Sequence, residues 1–311
     1  YAYLDNTKSP GSVADINTTG FDKAAGGGAI MSYFARAQYD YKEKYLLSAV
    51  IRRDGSSNFG DGYKYGNFPS VAAGWVITKE DFMANSSKYL NFLKLRASWG
   101  QNGNQYTDYA FYYSSNIRYA FPGYFFGDTK PVSGQTAYPA KVTNPSVTWE
   151  TSEQLDLGFD ASFFDSRLGI TFDWYKKTTR DWLVLAELPG TAGADNPYIN
   201  GGDIENKGIE FSVSWKDKVG DFKYGLTVSG ALNKNEVTKI ANSNGIINGP
   251  AHVLSQGTSE ISRAQVGYPI GSFYGFKTAG ILQNQQEVDA YVGPNGQPYF
   301  NDQRPGDVRF V

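Results

Sequence analysis

Apolar and polar residues alternate with a period of two along eight segments of the chain, and this alternation predicts β-strands. The longest such segment covers residues 152–163, where Leu155 and Leu157 share one face. Asp156 and Asp160 lie on the opposite face of the same segment. The eight predicted strands cover residues 31–41, 45–52, 71–77, 93–100, 152–163, 168–174, 209–216 and 222–229. The chain is therefore expected to be all-β and antiparallel.

The connections between these strands alternate in length. Short turns are predicted at residues 42–44, 165–167 and 217–221, and a modest segment with a helical turn or two at residues 79–92. The other predicted connections are long: residues 54–67, 101–149, 181–206 and the whole segment after residue 235. Short turns on one side and long loops on the other are typical of outer-membrane β-barrels. Loops this long are uncommon in compact soluble domains, so a transmembrane barrel is favoured over a soluble sandwich, which the alternation alone leaves open.

Aromatic residues make up 16% of the chain and gather near strand ends, among them Tyr41, Tyr45 and Trp75. Rings with an apolar body and a polar tip favour the two membrane interfaces, so this placement predicts aromatic girdles. The mean hydropathy of -0.45 does not contradict a membrane location, because barrel strands bury every second residue in a polar interior. The chain has no apolar run of about 18 residues, which excludes a transmembrane helix.

Charge and composition exclude several classes of function. The net charge is -2 and no cluster of lysine and arginine stands out, so a nucleic-acid partner has no support. Cysteine is absent and His252 is the single histidine. Disulfides, zinc–thiolate sites and cysteine nucleophiles are thereby excluded, and most schemes for a metal site or a general base lose their usual residue.

Two segments are candidates for contact with a ligand or a partner. The first is RRDGSSNFGDG at residues 52–62, which combines two cations and an acid with turn-forming residues. The second is the connection at residues 101–149, which is rich in Tyr, Phe and Asn. A solvated hairpin loop and a self-packed external loop are the plainer interpretations of the two. The candidate residues facing a ligand or a lid are Arg52, Arg53, Asp54, Tyr106, Tyr109, Tyr112, Tyr113, Tyr119, Phe125 and Phe126.

Pairs of carboxylates are the one arrangement that suggests catalysis. They occur at Glu80 and Asp81, Asp156 and Asp160, and Asp203 and Glu205. Two carboxylates can act as the acid and base of a glycosidase, but acids this frequent are a weak signal. Asp302 and Asp307 lack the ligand spacing of a known calcium loop. We therefore expect no catalytic residue, metal ligand or cofactor, and expect the protein not to be an enzyme.

Six segments in order resemble the SusC/RagA family of TonB-dependent outer-membrane transporters. They are YLLSAVIRRDGSSNF at 45–59, FPSVAAGWVITKEDFM at 68–83, LKLRASWGQNGNQ at 93–105, NPYINGGDIENKGIEFSVSW at 196–215, GYPIGSFYGFKTAGILQNQQEV at 267–288 and RPGDVRFV at 304–311. The blocks cover most of the chain from about residue 30 onward. Six ordered segments are far more specific than a single short motif.

The resemblance implies a 22-stranded barrel in the bacterial outer membrane with an N-terminal plug domain. It also implies a SusD-like surface lipoprotein as a lid, and TonB as the source of energy through a region outside this chain. Residues 1–311 would then be a partial barrel domain without the plug or the closing strands, and we expect both ends to be cuts. The implied function is import of oligomeric nutrients, with glycans as the leading cargo. Peptide import, or a soluble carbohydrate-binding or glycosidase β domain, are the alternatives.

Overall fold

The computed structural model describes residues 29–84, 89–106, 113, 117–126, 132–186, 188–250, 253–254, 256–300 and 302–310. His252, Tyr109 and Tyr112 lie outside the described residues. Within those ranges no helix has the length and apolar character required to cross a membrane.

Among the described residues up to residue 240 there are twelve strands, and eight of them make one sheet. The strands are β1 (Ile30–Tyr41), β2 (Tyr45–Ser56), β3 (Tyr65–Val76), β4 (Leu90–Asn104), β5 (Ile117–Phe126), β6 (Val132–Pro139), β7 (Glu150–Phe163), β8 (Leu168–Arg180), β9 (Leu183–Leu185), β10 (Tyr198–Asn200), β11 (Gly202–Val219) and β12 (Phe222–Ile240). The large sheet has the order β1-β2-β3-β4-β7-β8-β11-β12, and its neighbours are all antiparallel. The eight strands predicted from the alternation are confirmed.

The large sheet has one apolar and one polar face because the register aligns residues of the same kind across it. One cross-strand row holds Leu47, Ala73, Ala97, Leu157, Trp174, Ile209 and Leu232, and we call the face that carries it the outer face. The adjacent row holds Ser48, Ala72, Ser98, Asp156, Tyr175, Gly208 and Asn233, on what we call the inner face. Leu157 is 45% exposed and Leu232 is 67% exposed. A continuous apolar surface of this kind is typical of a sheet that faces lipid.

Most strands are longer than the sequence pattern predicted, chiefly toward the long connections. β4 and β11 also extend at the other end, to Leu90 and Val219. The predicted loop at 54–67 is strand at both of its ends, since β2 continues to Ser56 and β3 begins at Tyr65. The predicted loop at 181–206 holds β9, β10 and the start of β11, and the one at 101–149 holds β5 and β6. Beyond the bilayer both faces of a strand meet water or protein, so alternation fades while the ladder of backbone hydrogen bonds continues. The sequence pattern therefore predicted the alternating part of the strands and missed several of their ends.

The short-turn end of the sheet carries an aromatic row. The rings of Tyr41 and Tyr45 stack with centroids 6.3 Å apart, and those of Tyr45 and Trp75 stack at 6.5 Å. Glu80 lies in the connection after β3, between 3₁₀ helices at Ile77–Lys79 and Asp81–Met83. Its carboxylate accepts hydrogen bonds from the Tyr45 hydroxyl at 2.6 Å, the Trp75 indole at 3.0 Å and the Lys44 ammonium at 3.2 Å. These three donors lower the pKa of the Glu80 carboxyl, and the hydrogen bond from Tyr45 has the largest effect. They also connect the turn between β1 and β2 to the connection between β3 and β4.

The chain divides into two compact units. The first comprises residues 1–245 and 265–270, and contains the large sheet, a β5–β6 hairpin, the β9–β10 pair and a 3₁₀ turn at Gly190–Ala192. The second comprises residues 246–264 and 271–311. Its elements are β13 (Ile246–Asn248), β14 (Ser262–Gln265, all but its last residue), β15 (Ser272–Phe273), β16 (Thr278–Ile281), α1 (Gln285–Ala290) and β17 (Val308–Phe310). Leu282 and Val288 are buried in this unit. Asn284 caps α1 by accepting the Glu287 amide at 3.0 Å.

Candidate functional site

An arginine between two aspartates is the strongest polar feature of the inner face. Arg96 on β4 donates from Nε to Asp160 Oδ2 at 2.8 Å, and its Nη1 lies 2.9 Å from Asp173 Oδ1. Because Gly158 pairs with Arg96 and with Asp173, it sits between the two partners, where a Cβ would overlap the Asp173 carboxylate. Arg96 and Asp160 are each 34% exposed and Asp173 is 27% exposed. The group carries one net negative charge toward the interior that the sheet would enclose.

Replacing Arg96 with methionine should lower the free energy of unfolding by about 1 to 2 kcal/mol. The change leaves two half-buried carboxylates on neighbouring strands without their shared cation, and partial solvation limits the cost. Urea titration of the protein in detergent measures the effect. Arg36→Met, an exposed arginine on the inner face of β1, is the matched control and should change little. Adding Asp173→Asn to Arg96→Met should recover part of the loss, and a purely additive double variant would contradict the ion-pair explanation.

The row next to Arg96 carries hydroxyl and amide side chains, two small residues and one carboxylate, that of Asp156. Asp156 accepts from the Ser98 hydroxyl at 3.2 Å and from the Gln154 amide at 2.8 Å. Farther along the row, the Tyr175 hydroxyl lies 3.1 Å from Asn233 Oδ1. Such a surface can bind polar groups by hydrogen bonds. Among the described residues, no group of three or more His, Cys, Asp or Glu is placed to hold a metal ion.

The three predicted residues of the first candidate segment do not share one surface. Arg52 donates from Nε to Asp54 Oδ1 at 2.7 Å on the inner face, where Asp54 is 6% exposed. Arg53 is on the outer face, and its guanidinium carbon lies 4.9 Å from the ring centroid of Tyr65. The structure thus brings Arg52 and Asp54 together and separates Arg53 from both. The role of these residues in binding stays a prediction.

The described aromatic residues of the second predicted segment belong to the connection between β4 and β7. Tyr106 follows β4 and is 84% exposed, and Tyr113 is 39% exposed. Tyr119, Phe125 and Phe126 belong to β5, which pairs with β6 in a hairpin. The large exposed ring of Tyr106 is the clearest candidate for stacking on a ligand or contacting a partner. Its role also stays a prediction.

A buried aromatic cluster at the same end was missed by the sequence analysis. We call it the loop core; its members are Phe59, Phe68, Val147, Trp149, Leu183 and Tyr198. The ring centroids of Phe59 and Phe68 lie 5.3 and 5.5 Å from that of Trp149, whose indole donates to the Lys64 carbonyl at 3.0 Å. A Cβ at Gly103 would overlap the Phe68 ring, so a larger residue at this position would displace the ring. The loop core thus packs together residues of three connections, those between β2 and β3, between β6 and β7, and between β8 and β11.

One signal in the sequence could have located the loop core. Phe68 has the phase of the polar inner face on β3, opposite to Val71 and Ala73. A large apolar residue on a polar face requires an apolar partner, which Trp149 supplies. Hydrogen bonds complete the assembly, because Asn200 Oδ1 accepts the Thr148 amide and its Nδ2 donates to the Thr148 carbonyl, both at 2.9 Å.

The chain matches the family model described as TonB dependent receptor-like, β-barrel, over residues 1–307. TonB-dependent receptor P39 of Formosa agariphila is 35% identical over 284 residues, which cover 91% of this chain and 25% of that protein. TonB-dependent receptor SusC of Bacteroides thetaiotaomicron is 31% identical over 274 residues, covering 86% of this chain and 27% of that protein. The chain thus spans about a quarter of the length of these curated relatives.

Among solved structures, the RagAB peptide transporter superposes with a TM-score of 0.69 at 25% identity, covering 82% of this chain and 26% of that one. The RagAB peptide importer in its closed-closed state gives a TM-score of 0.70 at 23% identity, over 91% of this chain and 30% of that one. At that identity the second match bears on the fold alone. In both cases the match covers most of this chain and less than a third of the matched chain in the solved structure.

Proposed function

Because this chain belongs to the TonB-dependent receptor family of outer-membrane β-barrels, we propose that the whole protein imports an oligomeric nutrient with energy delivered through TonB. The family consists of outer-membrane transporters, not enzymes. This membership sets aside the soluble carbohydrate-binding or glycosidase alternative, which the aromatic connections and the paired carboxylates would also suit. Glu80, one of those acids, is engaged with Tyr45, Trp75 and Lys44.

The observation that carries the proposal is the two-faced sheet. Its outer face is apolar and exposed, whereas its inner face carries Arg96, Asp156 and other groups that bind polar molecules. Eight strands of this kind supply about a third of the 22-stranded barrel that the SusC/RagA resemblance implies. A closed barrel has no exposed edge in lipid. The remaining strands and the plug are proposed to lie in the rest of the protein.

A SusD-like lipoprotein is the proposed lid, and its docking surface is proposed to be the long-connection end. The loop core of Phe59, Trp149 and their neighbours supports this end. A surface that is already ordered loses little conformational entropy when it binds a partner. TonB is proposed to act through an N-terminal region outside this chain. The SusC and RagAB neighbours are compatible with such a pairing.

Glycans are the proposed cargo, since exposed rings beside amide-bearing residues suit stacking on sugar faces. Tyr106, 84% exposed and next to Asn104, is the described residue that best fits this role. Peptides are the second candidate, and one specific observation favours them: the RagAB neighbour that is 25% identical to this chain is named a peptide transporter. The polar inner face is compatible with either cargo.

Replacing Tyr106 with alanine should weaken binding of the cargo about three- to tenfold. The loss corresponds to removing one aromatic stacking contact. Titration of the whole protein, purified with its lid, against separate pools of oligosaccharides and peptides measures the change. Tyr89→Ala, an exposed tyrosine at the short-turn end, is the control and should bind normally. Equal affinities for Tyr106→Ala and the unaltered protein would remove Tyr106 from the proposed binding surface.

Uptake in the source bacterium tests the function itself. A deletion strain should lose growth on one class of oligomer, glycan or peptide, and regain it with the whole gene. Collapse of the proton-motive force should stop uptake, because TonB transmits that energy. Undiminished uptake of both classes in the deletion strain would overturn the proposal, and loss of peptide uptake alone would replace the glycan with the second candidate.

A further inference from the structure

Three lysines occupy a single cross-strand row on the outer face. Lys176 on β8 pairs with Lys207 on β11, and Lys207 pairs with Lys234 on β12. In each strand the lysine is the first charged residue on the outer face after the apolar run, directly beyond Trp174, Ile209 and Leu232 respectively. The row lies toward the long connections. It therefore marks the edge of the apolar band, on the extracellular side of the sheet.

The lysine row is followed by a separate row of acids. Glu205 pairs across the sheet with Glu236, one outer-face position beyond Lys207 and Lys234. Lys176 lies 2.7 Å and Lys207 3.1 Å from Glu205, and Lys234 lies 2.9 Å from Glu236. Two carboxylates thus form ion pairs with three ammonium groups. Like charges directly opposite each other in a sheet are destabilising, and the row of acids offsets part of this cost for the lysines.

The lysine side chains remain open to an outside partner. Their exposed fractions are 46% for Lys176, 47% for Lys207 and 67% for Lys234. Each ammonium has three donors, and one carboxylate contact leaves the others available. Neighbouring strands lie about 4.8 Å apart, so the row spans about 10 Å at the level where the hydrocarbon of the bilayer meets its headgroups.

We propose that Lys176, Lys207 and Lys234 form a binding site for phosphate-bearing lipid headgroups in the outer leaflet. The position at the edge of the apolar band places an acyl chain against Trp174 and Ile209 while the headgroup meets the ammonium row. Ammonium groups at a membrane surface attract anionic lipid and form charge-assisted hydrogen bonds with phosphate. The site concerns the lipid-facing wall and is independent of the cargo and of the import step.

The test compares the whole protein with its Lys176→Gln/Lys207→Gln/Lys234→Gln variant in phosphatidylcholine nanodiscs. Diphosphorylated lipid A and its dephosphorylated form are added separately, and bound lipid is counted by native mass spectrometry. The unaltered protein should retain the phosphorylated form, and the variant should bind it about tenfold or more weakly, since each lysine near a membrane surface contributes substantially to anionic lipid binding. Raising the salt concentration should reduce the difference.

The matched control is Lys94→Gln/Lys177→Gln/Lys216→Gln, which removes the same charge from the inner face of the same sheet. It should retain lipid A as the unaltered protein does. Equal binding of the phosphorylated and dephosphorylated forms would overturn the proposal, as would equal losses in the two triple variants. Because the lysines are exposed and lie outside the apolar band, the variant is expected to fold, and heat-modified migration on electrophoresis checks that the barrel is intact.

Discussion

Replacing Leu157 with arginine should lower the free energy of unfolding of the membrane-inserted protein by about 2 to 4 kcal/mol. Leu157 is 45% exposed on the outer face of β7, between Ala97 on β4 and Trp174 on β8. It belongs to an apolar run that extends along β7 from Phe163 to Leu155. An arginine there would place its charge in hydrocarbon. Urea unfolding of the whole protein in lipid vesicles measures the loss.

The control introduces the same residue on the opposite face of the same strand. Gln154→Arg keeps a donor toward Asp156, to which the Gln154 amide already donates at 2.8 Å. It should change the free energy of unfolding by less than about 0.5 kcal/mol, as is usual for a substitution on a solvated surface. Equal losses for Leu157→Arg and Gln154→Arg would mean that the two faces do not meet different environments, and would contradict the orientation of the sheet.

Replacing Phe59 with alanine should lower the local free energy of opening of the loop core by about 3 to 5 kcal/mol. Phe59 is fully buried, and its ring contacts Trp149 at a centroid distance of 5.3 Å. The cavity left by the ring cannot be filled without moving connections that are tied by hydrogen bonds, such as Trp149 to Lys64. Hydrogen exchange at the backbone amides of Val147 and Thr148 measures the opening, because local unfolding exposes them.

A distant phenylalanine provides the comparison for Phe59. Phe82, in the connection between β3 and β4, is 71% exposed, so Phe82→Ala should leave exchange in the loop core unchanged. Strands such as β7 should keep their protection in both variants, since their ladders do not depend on the loop core. Faster exchange along β7 after Phe59→Ala would contradict a locally confined core and indicate that the connections stabilise the wall itself.

The wall of the barrel was predictable because a lipid-facing strand repeats its chemistry every two residues. Leu155, Leu157 and Phe159 alternate with polar neighbours, and β7 forms over residues 150–163, which contain the predicted segment. The short turns were equally accessible: Lys42 and Glu43 adopt positive φ values in the first turn, which the length of that connection requires. The family resemblance led to the same architecture by an independent route.

The candidate binding residues were harder to place because their faces depend on where each strand ends. RRDG was interpreted as a loop, but β2 continues through it, so Arg52 and Asp54 point to one face and Arg53 to the other. The lysine row shows the same limitation. Lys176, Lys207 and Lys234 are unremarkable along the chain, and only the register aligns them.

The sequence by itself determined the class of fold, the eight strands of the wall and the two faces of each. Alternation is a local property, and a bilayer imposes it residue by residue, so it can be read without knowing which strands are neighbours. The tertiary structure alone decided which side chains meet. The Arg96 group, the loop core and the lysine row each join residues that are far apart in the chain. Their contacts follow from strand order and register, which a single periodicity does not specify.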